Sequence, residues 1–445
     1  MESHSPRQAG IGFIFVTVML SVVGFGLLIP VLPKLVVQLQ GEGIASGSST
    51  YGWLITIYAM MQFVGSPILG SLSDRFGRRR IILIATAGSM LDYGIMAWAP
   101  SLTWFFVART ISGFTAGVLS TANAYIADTT PPEKRAHAYG ILGAAFGVGF
   151  ILGPVAGGLL GNIGIRLPFW FAAGCSALNW LYGFFVLPES LKPENRRPFD
   201  WKRANPFGAL LALRRFPAVL SLVESFFLIT LSQAMLYSIW ALYMDYRYHW
   251  NPRDVGLSLA LAGVTTGLVQ GALVKRIVPR LGVTRTVVVG LCVSIASMIC
   301  YGLATQGWMI YAVICFGAFA GITGPALQTY ITKHVPANEQ GGVQGVLTGL
   351  QSLAGIPGPF IGTHSFSLAI DPDPSVRLPW IFSVFDGPAT WFVRHLFLRH
   401  PGISFFEGAG LVSIALVLAG RSFRKFGQEE PAAATPVDPP APAGG

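Results

Sequence analysis

Gly70-Ser71-Leu72-Ser73-Asp74-Arg75-Phe76-Gly77-Arg78-Arg79-Arg80 sets four arginines, one carboxylate and a turn-forming glycine between two long apolar runs. A soluble core has no use for such a hinge. Lys and Arg resist translocation, so short basic connections between hydrophobic segments mark the cytoplasmic loops of a polytopic membrane protein. Composition agrees. Of 445 residues, 52% are hydrophobic and only 11% charged, with a mean hydropathy of +0.57. A soluble chain carries roughly 25% charged residues, and the deficit implies a surface turned toward a lipid bilayer. The net charge of +10 raises nucleic acid as a partner. The positive charges sit in short loops between apolar runs, however, where they serve topology, and no nucleic-acid role is expected. Cys175, Cys292, Cys300 and Cys315 all lie inside apolar runs, with neither metal-ligand spacing nor a disulfide framework.

A spanning helix needs roughly 20 mainly apolar residues. That length predicts spans near 10–32, 51–70, 81–99, 103–127, 138–160 and 168–188, then 217–244, 255–274, 286–304, 308–332, 342–366 and 403–420. The first run is too long for a signal-peptide core and is followed by Pro30 and Pro33 instead of a cleavage site, so it reads as a retained span. Twelve spans put both termini on one side. If that side is the cytoplasm, 22 of the 30 Lys and Arg lie inside and seven outside, with Arg109 left within a span. The expected architecture is an all-α membrane protein: one six-helix half over 1–188, a Pro-rich basic linker over 189–215, a second half over 216–426 and a disordered tail over 427–445. The outer segment 367–402 mixes Asp-Pro repeats with Trp380, Phe385 and Trp391. It reads as a surface-lying amphipathic piece or a thirteenth partial span.

The two halves share a register. Gly140, Gly153-Pro154 and Gly157 recur as Gly345, Gly358-Pro359 and Gly362, and Arg75, Gly77 and Arg80 as Arg280, Gly282 and Arg285. One offset of 205 residues relates every pair. Parallel repeats with a site between them are a transporter architecture.

These stretches carry a resemblance. The 70–80 loop resembles the signature between the second and third spans of the major facilitator superfamily. Ala108-Arg109-Thr110-Ile111-Ser112-Gly113 resembles its Arg-bearing fourth-span motif. Gly143 to Gly158, with Gly147, Gly149, Gly153-Pro154 and Gly157, resembles the fifth-span motif of its antiporters. Asp92-Tyr93 and Ile126-Ala127-Asp128-Thr129-Thr130 are similar to the tetracycline-exporter branch. The resemblance covers nearly the whole chain and is densest from about 50 to 190. It implies a twelve-helix fold of two pseudo-symmetric halves and proton-coupled antiport.

Each motif admits a functional and a purely structural reading. Gly149, Gly153, Gly157 and Gly161 recur every fourth residue, forming a smooth stripe for a close helix neighbour, and Pro154 lacks an amide donor. The stripe is either tight packing or, as the resemblance implies, a hinge and seal between halves. In the loop, arginines alone would fix topology, but topology needs neither Asp74 nor Gly77. As a switch, Asp74 would bond the N-terminal end of a helix in the other half, where amide donors and the helix dipole favour an anion, and the resemblance implies that this partner is the start of the eleventh span near Gly341. Arg78 would pair with Asp128. The second copy has Pro279 in place of Asp74, so only the first half can carry this switch.

Ionisable groups inside the bilayer cost ~2.5–3.5 kcal/mol on insertion scales and are functional suspects. Asp92 and Arg109 reach similar depths in adjacent antiparallel spans. They form either a structural ion pair or a proton site in which Arg109 holds Asp92 ionised until the two separate. Glu224 is a second candidate proton site or a cavity-mouth carboxylate. Tetracycline exporters carry an acid in the first span, a His in the eighth and an Asp in the ninth; the aligned residues here are Ser21, Thr266 and Ser294. That loss points to a different drug or solute. His364 reads as a pore or packing residue. Gln62, Asn123, Phe226, Phe227, Gln233, Tyr237 and Trp240 are the candidate binding surface, since aromatic walls with few polar groups suit amphipathic ligands. No nucleotide-binding loop, metal-ligand cluster or nucleophile–base pair appears, so no enzyme activity, cofactor or metal is expected. The expected function is export of a small amphipathic compound in exchange for protons across a bacterial inner membrane by a monomer. An importer or metabolite exporter of the same fold, or a non-transporting sensor, is the alternative.

Overall fold

A computed structural model describes residues 6–199, 217–333, 340–371 and 400–426. In the first half lie α1 Pro6–Leu28, α2 Leu32–Gln40, α3 Ile44–Phe76, α4 Arg78–Trp98, α5 Leu102–Thr115, α6 Val118–Thr129, α7 Pro132–Ile163 and α8 Leu167–Val186. A 3-10 turn at Pro193–Asn195 follows. The second half holds α9 Pro217–Tyr248, α10 Pro252–Leu268, α11 Val274–Leu281, α12 Val283–Leu303, α13 Gly307–Gly317, α14 Thr323–Lys333, α15 Gln340–Ala354, α16 Pro357–Ile370 and α17 Ile403–Phe426. A π turn, Val269–Leu273, joins α10 to α11, and a 3-10 stretch, Ala318–Ile322, joins α13 to α14.

Ten continuous helical runs among the described residues are long and apolar enough to cross a membrane. The pair α1–α2, bent by 41°, makes an eleventh if counted as one span. The stretch expected to be the eleventh span falls on α15 and α16, 15 and 14 residues long and interrupted at Gly355-Ile356. Pro357 cannot donate the amide that would continue α15. The fourth span is likewise two helices, α5 and α6, broken at Ala116-Gly117. Most of segment 367–402, the linker beyond 199 and the tail lie outside the described residues.

The 205-residue register reappears as backbone geometry. Gly77 (φ +102°) and Gly282 (φ +76°) occupy the left-handed region that favours glycine. Each turns one helix directly into the next, donating its N–H to Ser73 and Val278 respectively. At the other end of the third and ninth spans, Ala99 and Ala304 donate to Ile95 and Cys300. Interhelix contacts repeat too. Gly153 packs on Val23 and Gly26 of α1, and Gly358 on Leu231 and Ala234 of α9.

Among the described residues, the halves meet from mid-helix to the end remote from the 70–80 loop. There Ser367 donates to the Ala45 carbonyl at 2.7 Å and Thr56 to the Ile356 carbonyl at 3.3 Å. Gly158 faces Pro252 and Gly256, and Gly263 faces Ile151. Trp53 meets Phe360 edge-on at 4.9 Å between ring centroids.

Candidate functional site

Asp92 stands late on α4 and Arg109 midway along α5, which runs back beside it. The guanidinium spans the carboxylate: Nε donates to Oδ1 at 3.1 Å and Nη2 donates to Oδ2. Asp92 is 0% exposed and Arg109 4%. Small residues let the helices around the pair come close: Gly88 of α4 lies against Thr115 of α5, and Gly113 of α5 against Tyr58 and Met61 of α3. The Tyr58 ring lies 5.2 Å from the guanidinium carbon, a cation–π contact that also shields the pair from water. Removing one partner of such a pair strands the other charge, at a cost of about 3–5 kcal/mol. The expected depth match is therefore a bidentate contact.

At the loop end a second charge cluster forms around Arg78. Its Nη1 donates to Asp74 Oδ1 at 2.5 Å and to Ser73 Oγ at 2.6 Å, and its Nε to Asp128 Oδ2 at 2.9 Å. The expected Arg78–Asp128 pair is present. Asp74, however, turns to Arg78 inside its own half; the side chains at 340–345, its expected partners, lie outside the described residues. Sequence reasoning missed Glu189. Its carboxylate accepts from the backbone N–H of Arg78 at 2.8 Å and of Leu191 at 3.1 Å, capping α4. It also fills the space where a side chain on Gly77 would go. Ser190 donates to Asp128 at 3.3 Å, and the Arg197 N–H donates to the Asp74 carbonyl at 3.1 Å. The start of the linker thus straps across the cluster. The signal was an acid directly after the sixth span, which was assigned to the linker.

Three glycines of the α7 stripe, Gly149, Gly153 and Gly157, face a neighbour in their own half, while Gly161 lies against Val31 and against Pro252 of the second half. A Cβ on Gly149, Gly153 or Gly157 would collide with the α1 backbone, at 2.8 Å from the Met19 carbonyl and 2.8 Å from Gly26 Cα in the first two cases. The junction between halves is made by the next face of the helix: Gly158, Ile151 and the carbonyl of Pro154, which lies against Gly256. Direct sealing therefore belongs to Gly158 and its neighbours, because successive residues of a helix point about 100° apart.

Of the expected binding residues, Phe226, Gln233, Tyr237 and Trp240 line one cavity of about 380 Å³ within the second half. Thr266 and Ser294 line it too. Phe227 instead packs into the core around Leu222 and Val287. Gln62 and Asn123 are half-buried on α3 and α6 and are not part of this wall. Trp240 is fixed by an Nε1–H bond to Ser258 at 3.0 Å and an edge contact with Tyr301 at 5.2 Å. Tyr237 touches Phe150 of the first half, ring centroids 5.9 Å apart. Glu224 is exposed on α9, in the other half from Asp92. His364 stacks on Phe360 at 5.4 Å.

A further acid was passed over in the sequence: Glu407, one turn into α17. Oε1 accepts from Ser365 at 2.9 Å, while Oε2 is buried without a hydrogen-bond partner. The rule that singled out Asp92, an ionisable group inside a span, applied equally to it. Among the described residues, no three His, Cys, Asp or Glu side chains gather as a metal site.

The chain's relatives share this frame. It is 39% identical over 352 residues to the tetracycline resistance protein, class C, of Escherichia coli, covering 79% of this chain and 88% of that one. To the class E protein, also of Escherichia coli, it is 35% identical over 390 residues, covering 87% and 94%. A solved bacterial homolog of the human lysosomal transporter Spinster, inward-facing and unoccupied, superposes with a TM-score of 0.73 at 20% identity, over 97% of this chain and all of that one. At that identity the likeness speaks for the fold. Residues 14–359 match the Major Facilitator Superfamily, and the chain belongs to that family of multi-pass membrane transporters.

Proposed function

We propose that this protein exports small amphipathic compounds across a bacterial inner membrane in exchange for protons, as a monomer with twelve crossings and both termini in the cytoplasm. The observation that carries this reading is the Asp92–Arg109 contact, a charge pair removed from water inside the first half. Parting the two groups would strand a charge away from water, which proton binding at the carboxylate would relieve, and this ties protonation to helix movement. Relatives named for tetracycline resistance support export of a drug. Thr266 and Ser294 at the cavity wall favour a solute other than a metal–tetracycline complex.

Charge bias places the 70–80 loop on the cytoplasmic side. The halves, joined at the opposite end, then stand open inward. Outward opening would part Ser367 from Ala45 and Thr56 from Ile356, and bring Asp74 toward the eleventh span. Proton binding at Asp92 supplies the differential free energy that biases the two states, as any coupled carrier requires.

The test is a susceptibility panel of chemically diverse antibacterials in an efflux-deficient bacterium expressing the chain, with and without an uncoupler. Protection that the uncoupler abolishes is the expected outcome. Protection unaffected by the uncoupler would reject proton coupling, and protection against none of the panel would reject drug export in favour of a metabolite carrier.

A further inference from the structure

The cavity of the second half has a wall without formal charge among the described residues. Gln233 of α9, Gln270 of the π turn and Gln351 of α15 enter it from three separate elements, and all three are exposed to it. Among the described residues, Gln233 and Gln351 make no side-chain hydrogen bond, so their amides present both donors and acceptors to whatever occupies the space. Ser294 and Thr266 add hydroxyls; Phe226, Tyr237 and Trp240 add aromatic surface. No Asp, Glu, Lys, Arg or His lines the cavity among the described residues.

The backbone is arranged to keep this space. The π turn Val269–Leu273 and the 3-10 stretch Ala318–Ile322 pack together, with Gln270 donating to the Gly321 carbonyl at 3.4 Å. Both depart from regular helical bonding where they meet the cavity, as π turns commonly do at functional sites. At Gly321 a Cβ would stand 3.2 Å from Thr266 and 3.5 Å from Gln270, filling the volume between them. At about 380 Å³ the cavity falls within the range of sites that enclose small organic ligands.

Taking the chain as a solute carrier, we infer that this cavity binds an uncharged, planar aromatic solute bearing amide, carbonyl or hydroxyl groups, and that it discriminates against permanent charge of either sign. The aromatic walls cover the faces of such a solute, while the free amides meet polar groups at its edge. An ionic solute would lose its hydration and find no counter-charge, and that penalty exceeds what neutral hydrogen bonds return.

Three probes on one naphthalene core test this against the purified full-length protein in lipid nanodiscs: the neutral carboxamide, the carboxylate and the trimethylammonium derivative. Titration calorimetry should find the carboxamide bound about tenfold or more tightly than either ion. The double variant Gln233→Leu/Gln270→Leu should weaken carboxamide binding by about tenfold. Ser294→Asp should gain affinity for the trimethylammonium probe, a gain that misfolding cannot produce. Equal or tighter binding of an ion to the wild type, binding of none of the three, or an unchanged carboxamide affinity in the folded double variant would overturn the inference. These measurements use no gradient. Efflux insensitive to an uncoupler, with the neutral preference intact, would reject proton coupling while supporting the neutral site.

Discussion

Asp92 shows how one residue can be both a structural burden and a working part. Asp92→Asn keeps the shape but leaves Arg109 buried and unpaired, so the single variant should lose about 3–5 kcal/mol of stability. A loss of activity in it would therefore say little about protons. The double variant Asp92→Asn/Arg109→Gln removes both charges and should recover most of the stability, read as detergent-solubilised melting temperature, while uncoupler-sensitive efflux stays lost. Full efflux in the double variant would make the pair purely structural. Gly77 offers a cleaner residue-scale test. At φ +102° an alanine is strained, and its Cβ would displace the Glu189 carboxylate. Gly77→Ala should cost about 1–3 kcal/mol, seen as a lowered melting temperature. Gly282→Ala should cost the backbone strain alone, because nothing lies within 4 Å of its Cβ position.

At the scale of one helix, α7 separates two roles that a single glycine pattern had merged. Gly153→Leu forces α1 and α7 apart inside one half and should lower the yield of folded protein, as overpacking by about 1–3 kcal/mol or more would. Gly158→Leu meets Pro252 and Gly256 of the other half. It should leave folded yield near wild type and reduce efflux. A normal efflux rate in folded Gly158→Leu would show that the junction tolerates being wedged. How much was legible follows the same line. The spans, the basic loop and the 205-residue register could be read because they depend on composition and spacing, which a sequence displays directly. The direction in which the stripe of α7 faces could not, because two neighbouring helices offer it equally good small-residue partners. Glu189 and Glu407 were missed for opposite reasons: one acts through a backbone contact far away in sequence, and the other was hidden by the apolar residues around it. The cavity needed five helical spans to come together and left Phe226, Gln233, Tyr237 and Trp240 on one helix as its visible trace.

At the scale of the whole molecule, the contacts that join the two halves among the described residues lie toward the end remote from the 70–80 loop. Cysteines at Ala45 and Ser367, in a background lacking Cys175, Cys292, Cys300 and Cys315, would lie across the joined end. A short bifunctional thiol reagent bridging them should abolish efflux while leaving solute binding from the loop side intact. Continued efflux by the cross-linked protein would show that this end never opens. The register between the halves also has a limit that matters here. The turn at Gly282 copies the backbone of Gly77, yet Pro279 stands where Asp74 does, and among the described residues it is the first half that has a linker segment strapped over its charges. The halves share a shape, while among the described residues the electrostatic cluster at the loop end belongs to the first of them.

The contact between Gly158 and Gly256 has a consequence of its own. There backbone meets backbone, with no side chain on either surface. Freezing a long side chain costs up to about 2 kcal/mol of rotamer entropy, and glycine has none to lose. This joint can therefore close and reopen without ordering any rotamer, so neither motion carries a side-chain entropy toll at that point.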